Sequence, residues 1–410
     1  MHPTMFRIPF LPDWLADVKS YGVMMMIAFL TGIWWAARRA MKVKANPDVV
    51  LNLGFIALVA GIVGARSMYV IHYWDERFAI YAHPIIAALD IRAGGLEFLG
   101  GPILTIPAVF IYLKYIAKVS WRWYLDITTP SLAWGLALTR IGCFLNGCCW
   151  GAVCLDDHDP ARERAAVPWA VRFPYGSPAM KQQYEFGQIT IPKELIVVTD
   201  LGESLPLPRE YIEAVLHEKN KAGHEHLEAY KAARRKLKEQ VKADADPTET
   251  VRLKAAARSA LKKYVRVNPA QGQVWQQCDR YGLTPNDLSA LASQFRSKPV
   301  HPTQLYSVIN GLLLAWLLSR VFYYRRRHGT VLAVFLLVYP VSRFLLELIR
   351  QDNPLDFGGL TISQFLGLSL VLVGAIYLCY IRYVLPEKCP MVVPYIPPEE
   401  EEPPHKKKDK

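Results

Sequence analysis

Five ionisable residues lie inside otherwise apolar runs of the chain: Arg66, Glu97, Arg140, Arg343 and Glu347. A charge at membrane depth is expensive, so each is a functional candidate by default. Arg343 and Glu347 are four residues apart, which places them on one helix face where they can pair. Several arginines at one depth suit an anionic ligand, because guanidinium binds phosphate through a planar fork. A phospholipid headgroup fits both the depth and the charge. The competing reading is structural ion pairing between helices.

Two further stretches carry unusual chemistry. In Gly94-Gly95-Leu96-Glu97-Phe98-Leu99-Gly100-Gly101-Pro102, paired glycines stand beside a proline in an apolar run. They either loosen the helix so that backbone approaches another group or serve tight packing through small residues. In Arg140-Ile141-Gly142-Cys143-Phe144-Leu145-Asn146-Gly147-Cys148-Cys149-Trp150-Gly151, Asn146 offers amide donors while Gly147 and Gly151 permit a turn. With Cys154, four of the seven cysteines fall in this region. Their spacing, C-x4-C-C-x4-C, is not that of common zinc ligands, so no metal is expected. A disulfide involving Cys154 is compatible with an outward-facing segment. His301-Pro302-Thr303-Gln304-Leu305-Tyr306 precedes another apolar run, where His301 can act as a base, a headgroup ligand or a cap partner. His224-Glu225-His226 lacks the spacing of a zinc helix and reads as a solvated face.

The elements that position these residues are apolar segments near Tyr21–Ala37, Val49–Trp74, Gly94–Leu113, Ile127–Leu155, Tyr306–Tyr324, Thr330–Ile349 and Leu360–Val384. Each approaches or reaches the roughly 20 residues a membrane span needs. Asp13, Asp17 and Lys19 precede the first, unlike a signal peptide's basic lead, so that helix is expected to be a retained span. The fold class is therefore an all-α polytopic membrane protein with seven transmembrane helices. Arg38, Arg39, Lys42 and Lys44 follow the first span, Lys114, Lys118 and Arg122 the third, Arg325–Arg327 the fifth, and Arg382 and Lys388 the seventh. The intervening connections are mixed, with Asp75, Glu76 and Arg77, then Arg350, Asp352 and Asp356. The positive-inside rule then puts the N-terminus outside and the C-terminus in the cytoplasm.

Net charge is +12 with 20% charged and 52% hydrophobic residues. In a soluble chain that surplus would suggest nucleic acid. Its location says otherwise: residues 209–266 carry 15 Lys/Arg against 9 Asp/Glu, half the surplus, and most of the rest marks the ends of apolar runs. No nucleic-acid partner is expected. The chain divides into a membrane core (1–155), an extracytoplasmic insert between spans four and five (156–299), a second core segment (300–385) and a low-complexity, disordered cytoplasmic tail (386–410). Within the insert, short strands are expected at Trp169–Phe173 and Ile189–Ile191. Helices broken near Asp244–Pro247 are expected after Arg209, either solvated through (i, i+4) pairs or resting a basic face on anionic lipid.

These blocks, in this order, resemble the prolipoprotein diacylglyceryl transferase family of bacteria: Tyr21-Gly22-Val23-Met24, Gly94–Gly101, Arg140–Gly151, His301–Tyr306 and Arg343-x3-Glu347-x2-Arg350. The resemblance covers the seven-span core and leaves the insert outside it. It implies a multi-pass protein of the bacterial cytoplasmic membrane with an outward-facing lipid cavity. It also implies transfer of the diacylglyceryl group of phosphatidylglycerol to the lipobox cysteine of a prolipoprotein signal peptide, releasing glycerol 1-phosphate, without cofactor. Tyr21, Arg140, Gly151, Arg343 and Glu347 match positions tied to activity. Arg66, Gly100, Gly101, Asn146, His301 and Tyr306 are expected to contact phosphatidylglycerol together with Arg140, Arg343 and Gly151. Leu99 stands where the family commonly has His, Cys143 where it has Asn, Cys148 and Ser307 where it has Glu. As base, Glu347 and His301 rank ahead of Glu97. The rival readings are a lipid or anion transporter, which would be expected to carry internal repeats that this chain lacks, and an inactive family member that binds lipid or signal peptides through the insert.

Overall fold

The computed structural model describes residues 4–7, 17–79, 84–90, 95–97, 99–155, 165–198, 202, 204–216, 224–242, 247–350 and 359–384. The expected tail after Pro386, Gly94, Asp352 and Asp356 lie outside these. The chain forms two compact units. One comprises 23–141, 305–348 and 353–410, and the other 1–22, 142–304 and 349–352.

The first unit is helical. Helices α1 (Ser20–Lys42), α2 (Pro47–His72), α12 (Thr303–Tyr324), α13 (Thr330–Glu347) and α14 (Ile362–Cys379, extended by a π-type turn to Val384) are long and apolar enough to cross a membrane. The remaining two expected spans differ from this. The third begins at Gly100, not Gly94, as α4 (Gly100–Ile111) with a further turn Tyr112–Ile116. At about 1.5 Å per residue it reaches roughly 26 Å, against a hydrocarbon core of about 30 Å. The fourth, α5 (Trp121–Asn146), is long but less apolar, and it stops well before Leu155. Its end has a local cause. Gly147 is left-handed (φ 80°), and Gly147 N and Cys148 N both donate to Cys143 O, at 2.9 and 3.2 Å. This is a glycine C-cap of the kind that satisfies the last carbonyls of a helix.

Helix starts follow the sequence equally directly. Asn46 caps α2, its side chain accepting from Asp48 N at 2.9 Å with Pro47 in the first turn. Thr361 and Gln364 form a capping box on α14. Small residues set the helix contacts: a Cβ added at Gly64 would strike the Gly100 carbonyl, and one added at Gly100 would strike that of Gly64. At Gly100 the glycine block therefore serves close packing of α2 against α4. Gly95 (φ 82°) instead makes a turn whose missing Cβ leaves room for the Tyr69 ring. The core of this unit gathers Ala36, Val50, Leu53, Ile127, Leu314, Leu318 and Phe322, while Leu30, Phe55, Ile106, Trp316 and Leu372 lie on its exterior. Apolar exteriors over an apolar core are what a lipid-facing bundle requires.

The second unit is built as water-soluble domains are. Tyr175, Met180, Leu195, Leu207, Ile212, Val274, Cys278 and Leu288 form a buried core among α6 (Pro178–Glu185), α7 (Arg209–Leu216), α10 (Pro269–Tyr281) and α11 (Pro285–Gln294). The expected strands are displaced. The described ladders are β1 (Thr4–Arg7) with β2 (Asp17–Lys19), and β3 (Ile196–Val198) with β4 (Ser204–Pro206). Within Trp169–Phe173 only an isolated bridge, Val171 with Val300, is formed. Ile189–Ile191 has no strand; Pro192 follows it and supplies no amide to a ladder. The basic helices are present as α8 (His224–Lys242) and α9 (Pro247–Val267); the break expected near Asp244–Pro247 falls mostly on residues outside those described. The two helices are not freely solvated rods: Leu227, Tyr230, Ala257, Leu261 and Tyr264 form a buried seam. Arg234 Nη2 donates to the carbonyls of Cys278 and Leu283 at 2.9 and 3.2 Å, tying α8 to α10.

Candidate active site

In the helical unit, the ion pair read from spacing is formed. Arg343 Nη2 lies 2.8 Å from Glu347 Oε2, with the glutamate side chain 1% exposed. Thr361 Oγ1 donates to Glu347 Oε1 at 3.4 Å, so the cap residue of α14 also holds the carboxylate. A one-turn separation on α13 brings the pair together, and in the low local dielectric each buried charge depends on its partner. Pro340 lies inside the continuous α13, about one turn before Arg343, and Gly367 packs against it. Arg140 is half-buried on α5. Because α5 ends at Asn146, this residue sits in the second turn from the end of its helix rather than mid-span. Tyr306 is half-buried on α12.

Arg66 is buried on α2 and aims its donors at backbone. Nε reaches Ala88 O at 2.7 Å, Nη1 reaches Gly95 O at 2.9 Å, and Nη2 reaches Ala87 O and Asp90 O at 3.1 and 2.9 Å. Three of these carbonyls close α3 (Pro84–Leu89) and the turn after it, so this arginine serves as a C-cap for that helix. Glu97 pairs with His72, Oε2 to Nδ1 at 3.2 Å.

A second buried ion pair had no sequence warning. Asp126 Oδ2 lies 3.0 Å from Arg325 Nε, both side chains essentially unexposed. The same carboxylate accepts from Gly329 N (2.7 Å), Val331 N (3.0 Å) and Leu332 N (3.1 Å), and so caps the N-terminus of α13. Arg39 is likewise buried, donating to Ile127 O at 2.6 Å and lying over the Trp35 and Phe322 rings. Arg39 and Arg325 belong to the basic clusters used to orient the spans, yet both are built into the core. Asp126 stands one residue before the apolar run, where charge is ordinary and spacing carries no signal.

In the other unit, Gly151 is positioned by the His301 segment. Gly151 N donates to His301 O at 2.9 Å, His301 N to Ala152 O at 3.0 Å, and Ala152 N to Ile349 O at 2.7 Å. A Cβ on Gly151 would lie 2.8 Å from His301 Cβ and 2.7 Å from a Thr303 methyl, which accounts for glycine there. Thr303 Oγ1 donates to Cys149 O at 2.7 Å and Gln304 Nε2 to Cys148 O at 2.8 Å. These two residues were legible only as motif members; their task is to hold the cysteine segment. A cleft of about 250 Å³ lies beside it, lined by Trp150, Gly151, Val153, Gln183 and Phe186 among others. Asn146 is exposed, whereas Tyr21 and His301 are half-buried.

Together, several membrane-crossing helices, a buried Arg–Glu pair within one of them and a glycine-pinned signature loop define a multi-pass membrane protein with polar chemistry at depth. The profile of the prolipoprotein diacylglyceryl transferase family matches residues 7–220 and 228–380. The chain belongs to that family, whose members are transferases. A phosphatidylglycerol–prolipoprotein diacylglyceryl transferase of Rhodopirellula baltica is 27% identical over 389 residues, covering 89% of this chain and 72% of that protein. Proteins of the same name from Vibrio cholerae and Clostridium botulinum are 30% and 36% identical over 195 and 129 residues. Those matches cover 46% and 32% of this chain, and 66% and 49% of the relatives. The family match runs through most of the insert, so the expectation that the insert stands outside the resemblance is corrected.

Proposed function

We propose that this protein transfers the diacylglyceryl group of phosphatidylglycerol to the lipobox cysteine thiol of prolipoproteins, with glycerol 1-phosphate as by-product. Family membership supports the reaction, and the buried Arg343–Glu347 pair is the observation that carries its assignment to residues. The step is a displacement at a glycerol carbon: the substrate thiolate forms a C–S bond, the C–O bond to phosphate breaks, and the phosphate leaves with the electron pair. A thiol titrating near about 8.5 must first give up its proton. Negative charge grows on the departing phosphate, and fixed cations in a water-poor site stabilise it most.

Arg140 and Arg343 supply those cations in this reading, and Glu347 orients Arg343. Tyr21 holds the headgroup through its hydroxyl. Asn146, Gly151, His301, Tyr306, Gly100 and Gly101 are assigned to the phosphatidylglycerol site on the family positions they match. Arg66 acts through the helix Pro84–Leu89, whose closing carbonyls it holds. Glu347 and His301 are the candidate bases. The protein has seven spans in the bacterial cytoplasmic membrane, N-terminus outside, with α4 and α5 completing the set.

The test is incubation of purified protein with phosphatidylglycerol and a lipobox peptide, followed by mass spectrometry of the cysteine. A diacylglyceryl adduct that disappears with Arg140→Ala or Arg343→Ala is expected. No adduct where a reference enzyme works would overturn the activity, and intact turnover in both variants would overturn the residue assignment.

A further inference from the structure

We propose that Cys143, Cys148 and Cys149 form a thiolate site for a soft d10 cation such as Zn2+ or Cu+. In the linear chain their spacing argues against a metal; the folded backbone changes that. Cys143 sits in the last turn of α5 and is buried, and Cys148 and Cys149 follow the left-handed Gly147 that reverses the chain. Cys149 itself is left-handed, φ 63°. A residue with a Cβ rarely adopts this conformation, and such strain gathers at functional sites.

The three Sγ atoms all lie within 4.8 Å of one another. Three sulfurs bound to one ion at about 2.3 Å stand roughly 4 Å apart, so less than an ångström of closure completes the site. Its backbone is held from outside by the Gln304 amide on Cys148 O and the Thr303 hydroxyl on Cys149 O. Outer partners of this kind orient ligands and strengthen metal sites. Thiolate ligands select Cu+ and Zn2+ over Mg2+, Ca2+ or Mn2+. On binding, three S–H bonds break, three S–metal bonds form and three protons pass to solvent. No electrons move, and affinity rises with pH. Occupancy would lock the end of α5 to the loop that carries Gly151.

The experiment uses the full chain in detergent, reduced and stripped of metal, titrated with Cd2+ while the ultraviolet thiolate-to-cadmium band is followed. Saturation at one equivalent, and loss of the band on adding Zn2+, are expected. Cys148→Ser should weaken binding by more than the roughly 10–100-fold that loss of an outer partner costs. Cys379→Ser, at an exposed cysteine of α14, should titrate like the parent. A second readout needs no substitution: bound Cd2+ should protect Cys148 and Cys149 from iodoacetamide, read by peptide mass spectrometry, while Cys379 stays reactive. No saturable band, a folded Cys148→Ser protein that titrates like the parent, or no protection of the two cysteines would each overturn the proposal.

Discussion

Helix α13 carries a buried ion pair at each end, and the two are built on opposite electrostatic terms. At its N-terminus Asp126 receives Arg325 and three backbone amides. A carboxylate there meets the positive end of the helix dipole and fills donors that no intrahelical carbonyl can satisfy. At the C-terminus Glu347 is the last helical residue. Its carboxylate faces the negative end, and the Arg343 guanidinium and Thr361 hydroxyl must hold it there. The first arrangement stabilises; the second opposes the local field and is retained in spite of it. Local rules are broken mainly where function requires it, which is why the Glu347 end is the one proposed to work on substrate.

The comparison breaks most sharply at Asp126. Asp126→Ala leaves Arg325 buried without its carboxylate and α13 without its cap. It should cost about 3–5 kcal/mol of stability, visible as a large fall in thermal unfolding temperature or folded yield in detergent. Arg343→Ala also leaves a buried carboxylate without its guanidinium and should cost stability, so its activity is read on the folded fraction. Its adduct formation should fall by about 10²–10³, or roughly 2.7–4 kcal/mol of transition-state stabilisation, measured as initial rate with phosphatidylglycerol and peptide. If the two variants exchanged these phenotypes, the assignment of a structural and a functional end would be reversed.

Glu347→Gln sharpens the contrast further. It removes a charge that the dipole disfavours while keeping hydrogen-bonding capacity, so stability should change by less than about 1 kcal/mol. Turnover should still fall. Equal losses of stability for Glu347→Gln and Asp126→Asn would dissolve the distinction.

The insert supplies the smaller, water-facing controls. Tyr175 is buried with its hydroxyl 2.8 Å from Leu207 O and 3.2 Å from Leu195 O. Tyr175→Phe should cost about 1–3 kcal/mol by leaving carbonyls unsatisfied, without touching the kcat of the folded fraction. Burial also pushes the Cys278 thiol up to about 12. The folded state therefore holds this proton more tightly than the unfolded state does. Its contribution is complete below the ordinary thiol value and is lost as pH rises toward about 12. Unfolding followed between pH 8 and 11 should show declining stability, with a shallower slope in Cys278→Ser; the same slope in both would exclude this thiol as a source.

Much of this was open to reading in the chain. Runs of apolar residues marked the spans because a lipid solvent requires them, and Arg343–Glu347 paired because four residues is one helical turn. Span ends were read less well: α5 stops at Asn146 because Gly147 turns left-handed, although the apolar pattern continues. The insert's strands fell elsewhere because alternation over three to five residues is weak beside prolines and one-sided pairing. Arg39 and Arg325 looked like cytoplasmic markers since sequence cannot separate a basic residue at a loop from one folded back into the core.

What the sequence determined by itself was the solvent, the helices and the pair within one helix, all consequences of local periodicity. Tertiary structure decided what lies between elements: Asp126 closing α13 from more than two hundred residues upstream, the Gly64–Gly100 contact, and three thiols gathered at a helix end. Such contacts depend on how backbones approach one another. That approach is set by packing and hydrogen-bond satisfaction across the fold, and no spacing along the chain encodes it.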